Sequence, residues 1–460
     1  GYGLGLTICY INQDGWKDIY VTNDYAADDF LYINNKNGTF TDQAKKYFKH
    51  TSNSARGNDV ADINNDGLPD IVALDMQPAT NLRKKLLAAP NNYFTYQLTE
   101  KFGYIHQYMR NTLQLNSGTY GEGIQQPFTE IGLLAGVAET DWSWCPSLAD
   151  FDNDGFRDLL ITNGFPKDVT DRDFMAFRQG LSNIASPEYL MGNIPEVKIS
   201  NYAFRNTGNL TFEDKTEAWG IEIPSFSNGA AYGDLDNDGD LDYIVNNIND
   251  SAFVYRNTAQ DVKSETANFL RIEFKGNAPN LFGYGAVVKG KLENGQVFYA
   301  ENIPTRGYLS SVEPAVHIGL GSQKSMSELT IIWGNGKSQT FQNVKANQVL
   351  AVKQSEALTE YDFSKPIKKT LFNEVPLAFL HEEQDFIDYN TQNLLPQKMS
   401  QLGPSLAVGD INGDNLEDIY ISGSKFKSGS FLIRKTDGGY QEKLLQQFAD
   451  STQKSNEEVG

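Results

Sequence analysis

A nine-residue acidic pattern occurs five times in the sequence and suggests metal chemistry. The clearest copy is Asp150-Phe-Asp-Asn-Asp-Gly-Phe-Arg-Asp158, which carries carboxylates at positions one, three, five and nine. Alternate positions can turn their oxygens towards one centre, and a glycine at position six permits the sharp turn that this needs. Calcium takes roughly six to eight oxygen ligands. The pattern therefore predicts a calcium loop, in which position seven, here Phe156, gives its backbone carbonyl.

The five copies are loop 1 (10–18), loop 2 (62–70), loop 3 (150–158), loop 4 (234–242) and loop 5 (410–418). Tyr10 replaces the first carboxylate of loop 1, and Asn415 replaces the glycine of loop 5. We therefore expect about three to five calcium ions. The predicted metal ligands are Asn12, Asp14, Asp18, Asp62, Asn64, Asp66, Asp70, Asp150, Asp152, Asp154, Asp158, Asp234, Asp236, Asp238, Asp242, Asp410, Asn412, Asp414 and Asp418.

Two other interpretations of the loops were weighed. Solvated acidic turns would explain one copy, but not five copies in one frame. An EF-hand needs a glutamate at position twelve and a helix on each side. Position twelve is instead occupied by strand-forming residues, namely Val21, Ala73, Ile161, Val245 and Ile421.

A second repeated signature sets the fold prediction. An aromatic residue with an acid two residues later precedes three loops, since Phe40, Phe128 and Phe212 each lie 22 residues before the next loop. Each loop is also followed by a strand-forming run. Units of several short strands joined by turns are typical of propeller blades. The predicted fold class is all-β, with β-propeller blades, a small β-sandwich-like domain, the start of a second propeller and minor helical insertions.

The predicted domain borders follow the two signatures. Residues 1–262 form the first blades, with helical insertions at about 77–110 and 165–200. Residues 263–356 form the small β domain, 357–369 a linker, and 370–460 the second propeller, where Phe372-Asn-Glu374 repeats the aromatic-x-acid signature.

The loops resemble FG-GAP/VCBS repeats, the calcium loops of integrin α-chain propellers and of many secreted bacterial proteins. Segment 268–353 resembles the ASPIC/UnbV domain. That second resemblance is carried by Gly283-Tyr-Gly-Ala286, Arg306-Gly-Tyr-Leu-Ser-Ser-Val-Glu-Pro314, His317-Ile-Gly-Leu-Gly321 and Leu329-Thr-Ile-Ile-Trp-Gly-Asn-Gly336. The combination is similar to cartilage acidic proteins and large bacterial surface proteins, which implies an extracellular, cell-surface or periplasmic location.

Composition narrows the partners. The formal net charge of -20 disfavours nucleic acids and anionic membranes, and no apolar run is long enough to span a bilayer. The chain is interpreted as a fragment of a longer protein. Cys9 and Cys145 are predicted to be buried and reduced, with one disulfide as the alternative.

No catalytic motif stands out. The four histidines have no metal-ligand spacing, and no phosphate-binding or nucleophile-elbow motif occurs. We therefore predict a non-enzymatic binding or adhesion module for a protein or glycan. The alternatives are a calcium-dependent polysaccharide lyase and a purely structural spacer. The candidate surface is the aromatic insertion with Tyr93, Phe94, Tyr96, Tyr104 and Tyr108, whose alternative role is packing.

Overall fold

The computed structural model describes residues 1–25, 27–87, 93–118, 126–181, 183–263, 265–364, 377, 379–424 and 427–444. These residues are mostly β-strand with a few short helices. The chain divides into two compact units, Gly1–Lys365 and Pro366–Gly460. The finer division predicted from the sequence stays a prediction.

The first unit opens with two four-stranded antiparallel sheets. Sheet 1 contains β1 (Tyr2–Cys9), β2 (Asp18–Asp24), β3 (Phe30–Asn34) and β4 (Phe40–Asp42), and is followed by α1 (Ala44–Tyr47) and β5 (His50–Ser52). Sheet 2 contains β6 (Asn58–Ala61), β7 (Asp70–Ala73), β9 (Thr112–Asn116) and β10 (Phe128–Glu130), with α2 (Asn81–Leu86), α3 (Tyr93–Lys101) and β8 (His106–Tyr108) between its second and third strands, and α4 (Gly132–Ala135) after it.

Two further antiparallel sheets follow. Sheet 3 contains β11 (Ser143–Ala149), β12 (Asp158–Asn163), β13 (Tyr202–Asn206) and β14 (Phe212–Asp214), with α5 (Arg172–Leu181) and α6 (Pro187–Gly192) inserted after β12. Sheet 4 has three strands, β15 (Ser227–Gly233), β16 (Asp242–Asn247) and β17 (Phe253–Tyr255), and is followed by α7 (Ala259–Lys263).

The four sheets repeat one arrangement. An acidic loop joins the first strand of each sheet to the second, and the first strands β1, β6, β11 and β15 lie next to one another in that order. Apolar residues of adjacent sheets form shared clusters, such as Ile71 of β7 with Leu31 of β3. Burying these side chains between sheets gives the repeat its stability. The mostly β prediction is confirmed, and the propeller arrangement stays a prediction.

The rest of the first unit is a pair of packed sheets. Their strands are β18 (Asn268–Lys275), β19 (Val287–Leu292), β20 (Val297–Glu301), β23 (Ala315–Gly321), β24 (Ser325–Ile332), β25 (Lys337–Lys345), β26 (Gln348–Lys353) and β27 (Thr359–Glu360). Two further strands, β21 (Thr305–Arg306) and β22 (Ser310–Ser311), pair with each other. One sheet has the order β23-β18-β26 and the other β20-β19-β24-β25-β27. Alternating residues such as Leu270, Ile272, Leu329 and Ile331 bury between them around Trp333.

A short hairpin, β21–β22, reaches from this pair of sheets to the first strands of the four-sheet array. It contacts β1, β11 and β15. Arg306 Nη1 donates to Asp59 Oδ1 at 2.7 Å and to the Val60 carbonyl at 3.0 Å. The next residue must be glycine, because a Cβ on Gly307 would lie 2.1 Å from Cys145 Sγ and the residue has a φ of +58°. The two parts of the unit are therefore closely interlocked.

The helical insertions are present at both predicted places. At the N-terminus of α5, Asp171 Oδ1 accepts the Phe174 N–H at 2.8 Å. In the other insertion, the Tyr96 ring stacks on His106 and Tyr108. Phe94 remains exposed.

The two cysteines, Cys9 and Cys145, are buried and free, as predicted. Burial raises the pKa of both thiols. The search for a helix long and apolar enough to cross a membrane found none among the described residues.

The second unit contains α8 (Asp388–Thr391) and one four-stranded antiparallel sheet. Its strands are β28 (Leu406–Gly409), β29 (Asp418–Ile421), β30 (Ser430–Arg434) and β31 (Tyr440–Leu444), and loop 5 joins the first two. The sheet repeats the order of sheets 1–3. The predicted signature Phe372-Asn-Glu374 lies outside the described residues, and the second propeller stays a prediction.

The buried Arg306–Asp59 pair predicts a large loss of stability when only one partner is removed. Arg306→Met should lower the free energy of unfolding by about 3–5 kcal/mol, because it leaves the Asp59 carboxylate buried without its cation. Urea unfolding followed by fluorescence measures the change. The exposed Arg178→Met is the control and should change little. An equal, small effect of both substitutions would contradict the interlocking role of Arg306.

Candidate metal sites in the acidic loops

Two left-handed residues shape each loop. Position six is glycine in loops 1–4, with φ between +85° and +96°. Position four is also left-handed, with φ between +53° and +61° in Gln13, Asn65, Asn153 and Asn237. Loop 5 exchanges the two residue types, since Gly413 takes position four and Asn415 takes position six at +64°. Asparagine tolerates this region, so loop 5 keeps the same turn.

The carboxylate at position one holds the turn together. In loop 3, Asp150 Oδ1 accepts the Asp154 N–H at 3.1 Å and Oδ2 accepts the Gly155 N–H at 2.8 Å. Equivalent pairs of bonds occur in loops 2, 4 and 5. Loop 1 differs because Tyr10 stands at this position. The bonds place the carboxylate inside the curve of the turn.

The carboxylate at position nine joins each loop to the third strand of its sheet. Asp158 is buried, its Oδ2 accepts the Phe151 N–H at 3.0 Å, and its Oδ1 accepts the Asn206 N–H at 2.9 Å. The same two bonds occur in every loop, and the acids that make them are Asp18, Asp70, Asp158, Asp242 and Asp418. Position nine is therefore a structural anchor, and its predicted role as a metal ligand stays a prediction.

Side-chain amides link successive loops. Asn206 Nδ2 donates to the Arg157 carbonyl of its own loop at 3.0 Å and to the Ile63 carbonyl of the preceding loop at 2.8 Å. Asn116 and Asn257 make the same bonds. In the other direction, Gln13, Asn65 and Asn153 at position four donate to the position-six carbonyl of the following loop. Loops 1–4 thus form one hydrogen-bonded series.

Loops 3 and 4 bring several carboxylates together. Oxygens of Asp150, Asp152 and Asp158 lie within 4.8 Å of one another, as do those of Asp234, Asp236 and Asp238. Burial raises the pKa of Asp150 well above its usual value, and the nearby Asp154 and Asp152 raise it further. A divalent cation would remove this repulsion, so the donor set fits calcium.

The other three loops gather fewer charges. Asn64 Nδ2 donates to Asp66 Oδ2 at 3.1 Å in loop 2, and Asn412 makes the same bond to Asp414 at 2.9 Å in loop 5. The side-chain oxygen of the asparagine at position three could bind an ion only if the side-chain amide were flipped, so that its oxygen and nitrogen exchanged places. In loop 1, the Tyr10 N–H donates to Glu301 Oε1 at 2.9 Å. Loops 1, 2 and 5 are therefore weaker candidates.

Arginines on the third strands neutralise part of the charge in loops 3 and 4. Arg205 Nε donates to Asp152 Oδ2 at 2.8 Å, and Nη2 donates to Asp154 Oδ2 at 2.5 Å. Arg256 contacts Asp236 and Asp238 at 2.8 and 3.2 Å in the same way. Neither arginine was predicted from the sequence. The signal that could have identified them is that each directly precedes a linking asparagine, Asn206 or Asn257.

The pair of packed sheets also contacts the loops. His317 Nε2 lies 2.6 Å from Asn153 Oδ1, and the Gly321 N–H donates to the Asn153 carbonyl at 2.8 Å. Lys17 of loop 1 forms an ion pair with Glu301. His317 is thus a packed residue, and burial lowers its pKa to about 3. The loops are held on one side by residues distant in sequence.

Comparison with protein families accounts for both parts of the first unit. A model described as FG-GAP-like repeat matches residues 11–73 and 188–245, and a model described as ASPIC and UnbV matches residues 276–359. The chain contains FG-GAP-like repeats and an ASPIC/UnbV domain. The ASPIC/UnbV match covers the packed sheets from β19 onwards, with β18 lying just before it, and the repeat matches include loops 1, 2 and 4. Loop 3 shares their hydrogen bonds although it lies outside the matched residues.

No curated protein matches the chain. One solved structure that matches is of a lectin from Agrocybe aegerita, described by its specific recognition of non-reducing terminal N-acetylglucosamine. It is 15% identical, covers 96% of this chain and 80% of its own, and has a TM-score of 0.27. At that score the likeness supports no conclusion about fold or ligand.

The anchor and ligand roles within loop 3 predict different effects of two substitutions. Asp158→Asn places an amide donor against a backbone N–H, so it should cost about 1–3 kcal/mol of unfolding free energy with or without calcium. Asp152→Asn removes a predicted ligand and a partly exposed ion pair, so it should cost less than about 1 kcal/mol in chelator. In millimolar calcium its loss should grow. Denaturant unfolding under both conditions measures this, and equal calcium dependence of both variants would contradict the division of roles.

The raised carboxyl pKa values predict opposite effects of pH with and without calcium. Burial raises the pKa of Asp62 to about 6 and that of Asp18 to about 7. Since these folded-state values lie above the unfolded value of about 4, their stabilising contribution without calcium is full below pH 4 and is lost as pH rises towards 7. Calcium binds the deprotonated form, so the calcium-dependent rise in Tm should grow over the same range. Asp62→Asn should reduce that growth, and a calcium shift independent of pH would contradict the prediction.

Proposed function

We propose that the chain is a calcium-stabilised, non-catalytic binding module of an extracellular or cell-surface protein, and that its repeated sheets are propeller blades. One observation carries this proposal. The same hydrogen-bond frame recurs in five loops, although two of them differ at a key residue. Because these hydrogen bonds persist despite the two differences, we infer that the conformation of the turn is important for the function of the loops. In loops 3 and 4 the frame directs several carboxylates to one point.

The contacts between successive sheets favour blades around an axis. The first strands of sheets 1–4 lie in chain order, and the same side-chain amide bonds link each loop to the next. Repeating one relation between neighbours produces either a ring or a stack. Four-stranded antiparallel sheets with the first strand of each innermost are the units of a propeller. The strand order in sheets 1–3 is of this kind.

The proposed location follows from the expected affinity. Extracellular calcium modules bind their ion at about 10⁻⁴–10⁻³ M, which matches the calcium concentration outside cells. Loops with two to five carboxylates, as here, are compatible with binding in that range. At tenfold excess over the dissociation constant, each site contributes about 1.4 kcal/mol. Several such sites would make folding depend on calcium.

FG-GAP repeats suggest a module for binding or adhesion, with a protein or glycan as the proposed partner. The candidate surface is now narrower than the aromatic insertion as a whole. Tyr96 and Tyr108 stack within the fold, whereas Phe94 and Tyr104 are 67% and 45% exposed. Phe94 in α3, together with Phe102 and Tyr104 just after it, is therefore the exposed aromatic part of the insertion that we propose for partner binding.

The ion pairs support a role without catalysis. A lyase of the kind considered above needs a basic group beside a cation that is open to substrate. In loop 3 the guanidinium of Arg205 donates to Asp152 and Asp154, and that of Arg157 donates to the Asp62 and Tyr299 carbonyls. The carboxylate oxygens of Asp150 and Asp158 accept hydrogen bonds from backbone N–H groups. The acids are thus used in building the loop, which favours a structural use of the ion.

The first test is thermal unfolding in chelator, in millimolar calcium and in millimolar magnesium. We expect a Tm rise that is specific to calcium, since magnesium prefers rigid octahedral sites with retained waters. The double variant Asp152→Asn with Asp236→Asn should lose most of the rise. The matched control, Asp173→Asn with Glu217→Gln, removes two exposed acids outside the loops and should keep it. An equal rise with both cations, or none in a folded sample, would reject the proposal.

A further inference from the structure

The fourth strand of each complete sheet in the first unit has a constant composition. Strands β4, β10 and β14 begin with Phe40, Phe128 and Phe212, each followed two residues later by an acid. Sheet 4 differs, because its order is β15-β16-β17 and no strand among the described residues pairs with the outer edge of β17. Sheet 4 therefore has an open edge where its neighbours have a fourth strand.

The aromatic residue of the fourth strand fills a defined place between two sheets. The Phe128 ring lies 6.4 Å from the Tyr47 ring and 5.2 Å from the Phe48 ring, both of which follow the fourth strand of the preceding sheet. Phe212 packs in the same way against the cluster that contains Ile131 and Ala135, which follow β10. Strands β10 and β14 thus insert their aromatic rings against the turn that ends the sheet before them, whereas Phe40 of β4 is exposed.

The equivalent place beside sheet 4 is a groove of about 370 Å³. Trp219 follows Phe212 by seven residues, as Tyr47 follows Phe40, and it lines this groove. Phe151, Tyr243 and Tyr255 line it from the other sides. The groove has the aromatic walls that enclose Phe128 in sheet 2, but the inserted ring is missing among the described residues.

The backbone of β17 also has an N–H and a carbonyl at the position where the third strand binds the fourth in sheets 1 and 2. In sheet 1, Asp42 Oδ1 accepts the Leu31 N–H at 3.2 Å, and the Gln43 N–H donates to the Leu31 carbonyl at 2.8 Å. In sheet 2, Leu113 makes the same two bonds with Glu130 and Ile131. The matching residue of β17 is Val254, which is 65% exposed. Its N–H and carbonyl stand where the incoming acid and the residue after it bind in sheets 1 and 2.

We propose that the open edge of β17 and the adjoining groove bind an extended segment of a partner protein, which adds to sheet 4 as an antiparallel fourth strand. The segment carries an aromatic residue and an acid two residues later. The ring enters the groove against Trp219, and the acid accepts the Val254 N–H. Strand addition to an open edge combines backbone bonds for affinity with a side-chain pocket for specificity. This inference rests on the proposed binding function and deepens it by naming the partner's chemistry.

The test uses a labelled peptide with the sequence of residues 208–216, Gly-Asn-Leu-Thr-Phe-Glu-Asp-Lys-Thr. Fluorescence anisotropy in millimolar calcium should show saturable binding to the whole chain. A peptide with the Phe212→Ala change should bind at least tenfold more weakly, because the groove is left unfilled. The combined Asp214→Ala and Thr216→Val change should also weaken binding, since it removes both side chains that could accept the Val254 N–H: the acid accepts the matching N–H in sheets 1 and 2, and Thr216 Oγ1 accepts that of Ala203 in sheet 3.

Variants of the protein locate the site. Val254→Pro removes the outward N–H and should weaken binding at least tenfold, whereas Val254→Ala keeps the N–H and should bind like the wild type. Ala218→Phe, at an exposed position on the groove wall, should weaken binding without touching the edge. Thermal melts of all three variants check folding. Binding that is unaffected by both Val254→Pro and Ala218→Phe would overturn the proposal, because the peptide would then be exchanging with β14 or binding elsewhere.

The outcomes separate this inference from the proposed function. Absence of peptide binding together with a normal calcium-dependent melt would overturn the docking site and leave the calcium proposal intact. Loss of the calcium shift with normal peptide binding would do the opposite. Sedimentation without peptide covers the remaining occupant: a dimer that Val254→Pro abolishes would assign the edge to a second copy of this chain and overturn the choice of a separate partner.

Discussion

A carboxylate buried at the base of each acidic loop fixes two stretches of backbone at once. Asp158 accepts one N–H from its own loop and one from the end of the third strand. Bonds to an ionised acceptor are worth more than neutral ones, and a buried carboxylate that lost them would be costly. The loop, the second strand and the third strand therefore keep one relative position in every sheet. The remaining features of the repeat are built on that position.

This construction concentrates negative charge, and the chain offsets it in more than one way. Burial and mutual repulsion raise the pKa of Asp150 and Asp158. Arg205 and Arg256 balance the acids at positions three and five of the same loops. A bound cation would complete the balance at the centre of the loop. A bound ion would thus share the charge of the loop with the arginine at the end of the third strand.

Much of the repeat could be predicted because its signals are local. The loop pattern, the strand after it and the aromatic-x-acid pair all lie within a few residues of the structure that they form. The left-handed conformation at position four was missed because glutamine or asparagine stands there in four loops, and only Gly413 of loop 5 carries the glycine that signals it. Arg205, Glu301 and the linking asparagines were missed for another reason. Their partners lie tens to hundreds of residues away, and only the packing of the sheets brings them together.

The hairpin that carries Arg306 has a consequence for how the chain acquires its structure. Asp59 and Arg306 are 247 residues apart, yet both are part of one buried contact. Contacts between residues so far apart in sequence form late in folding, because the entropy of closing a long loop is lost before the contacts can stabilise the chain. During synthesis, the first strands of the sheets would lack the Arg306 contact until the β21–β22 hairpin has left the ribosome. A nascent chain of this kind would depend on chaperones for that interval, and truncation before Arg306 would leave the repeats without their final contact.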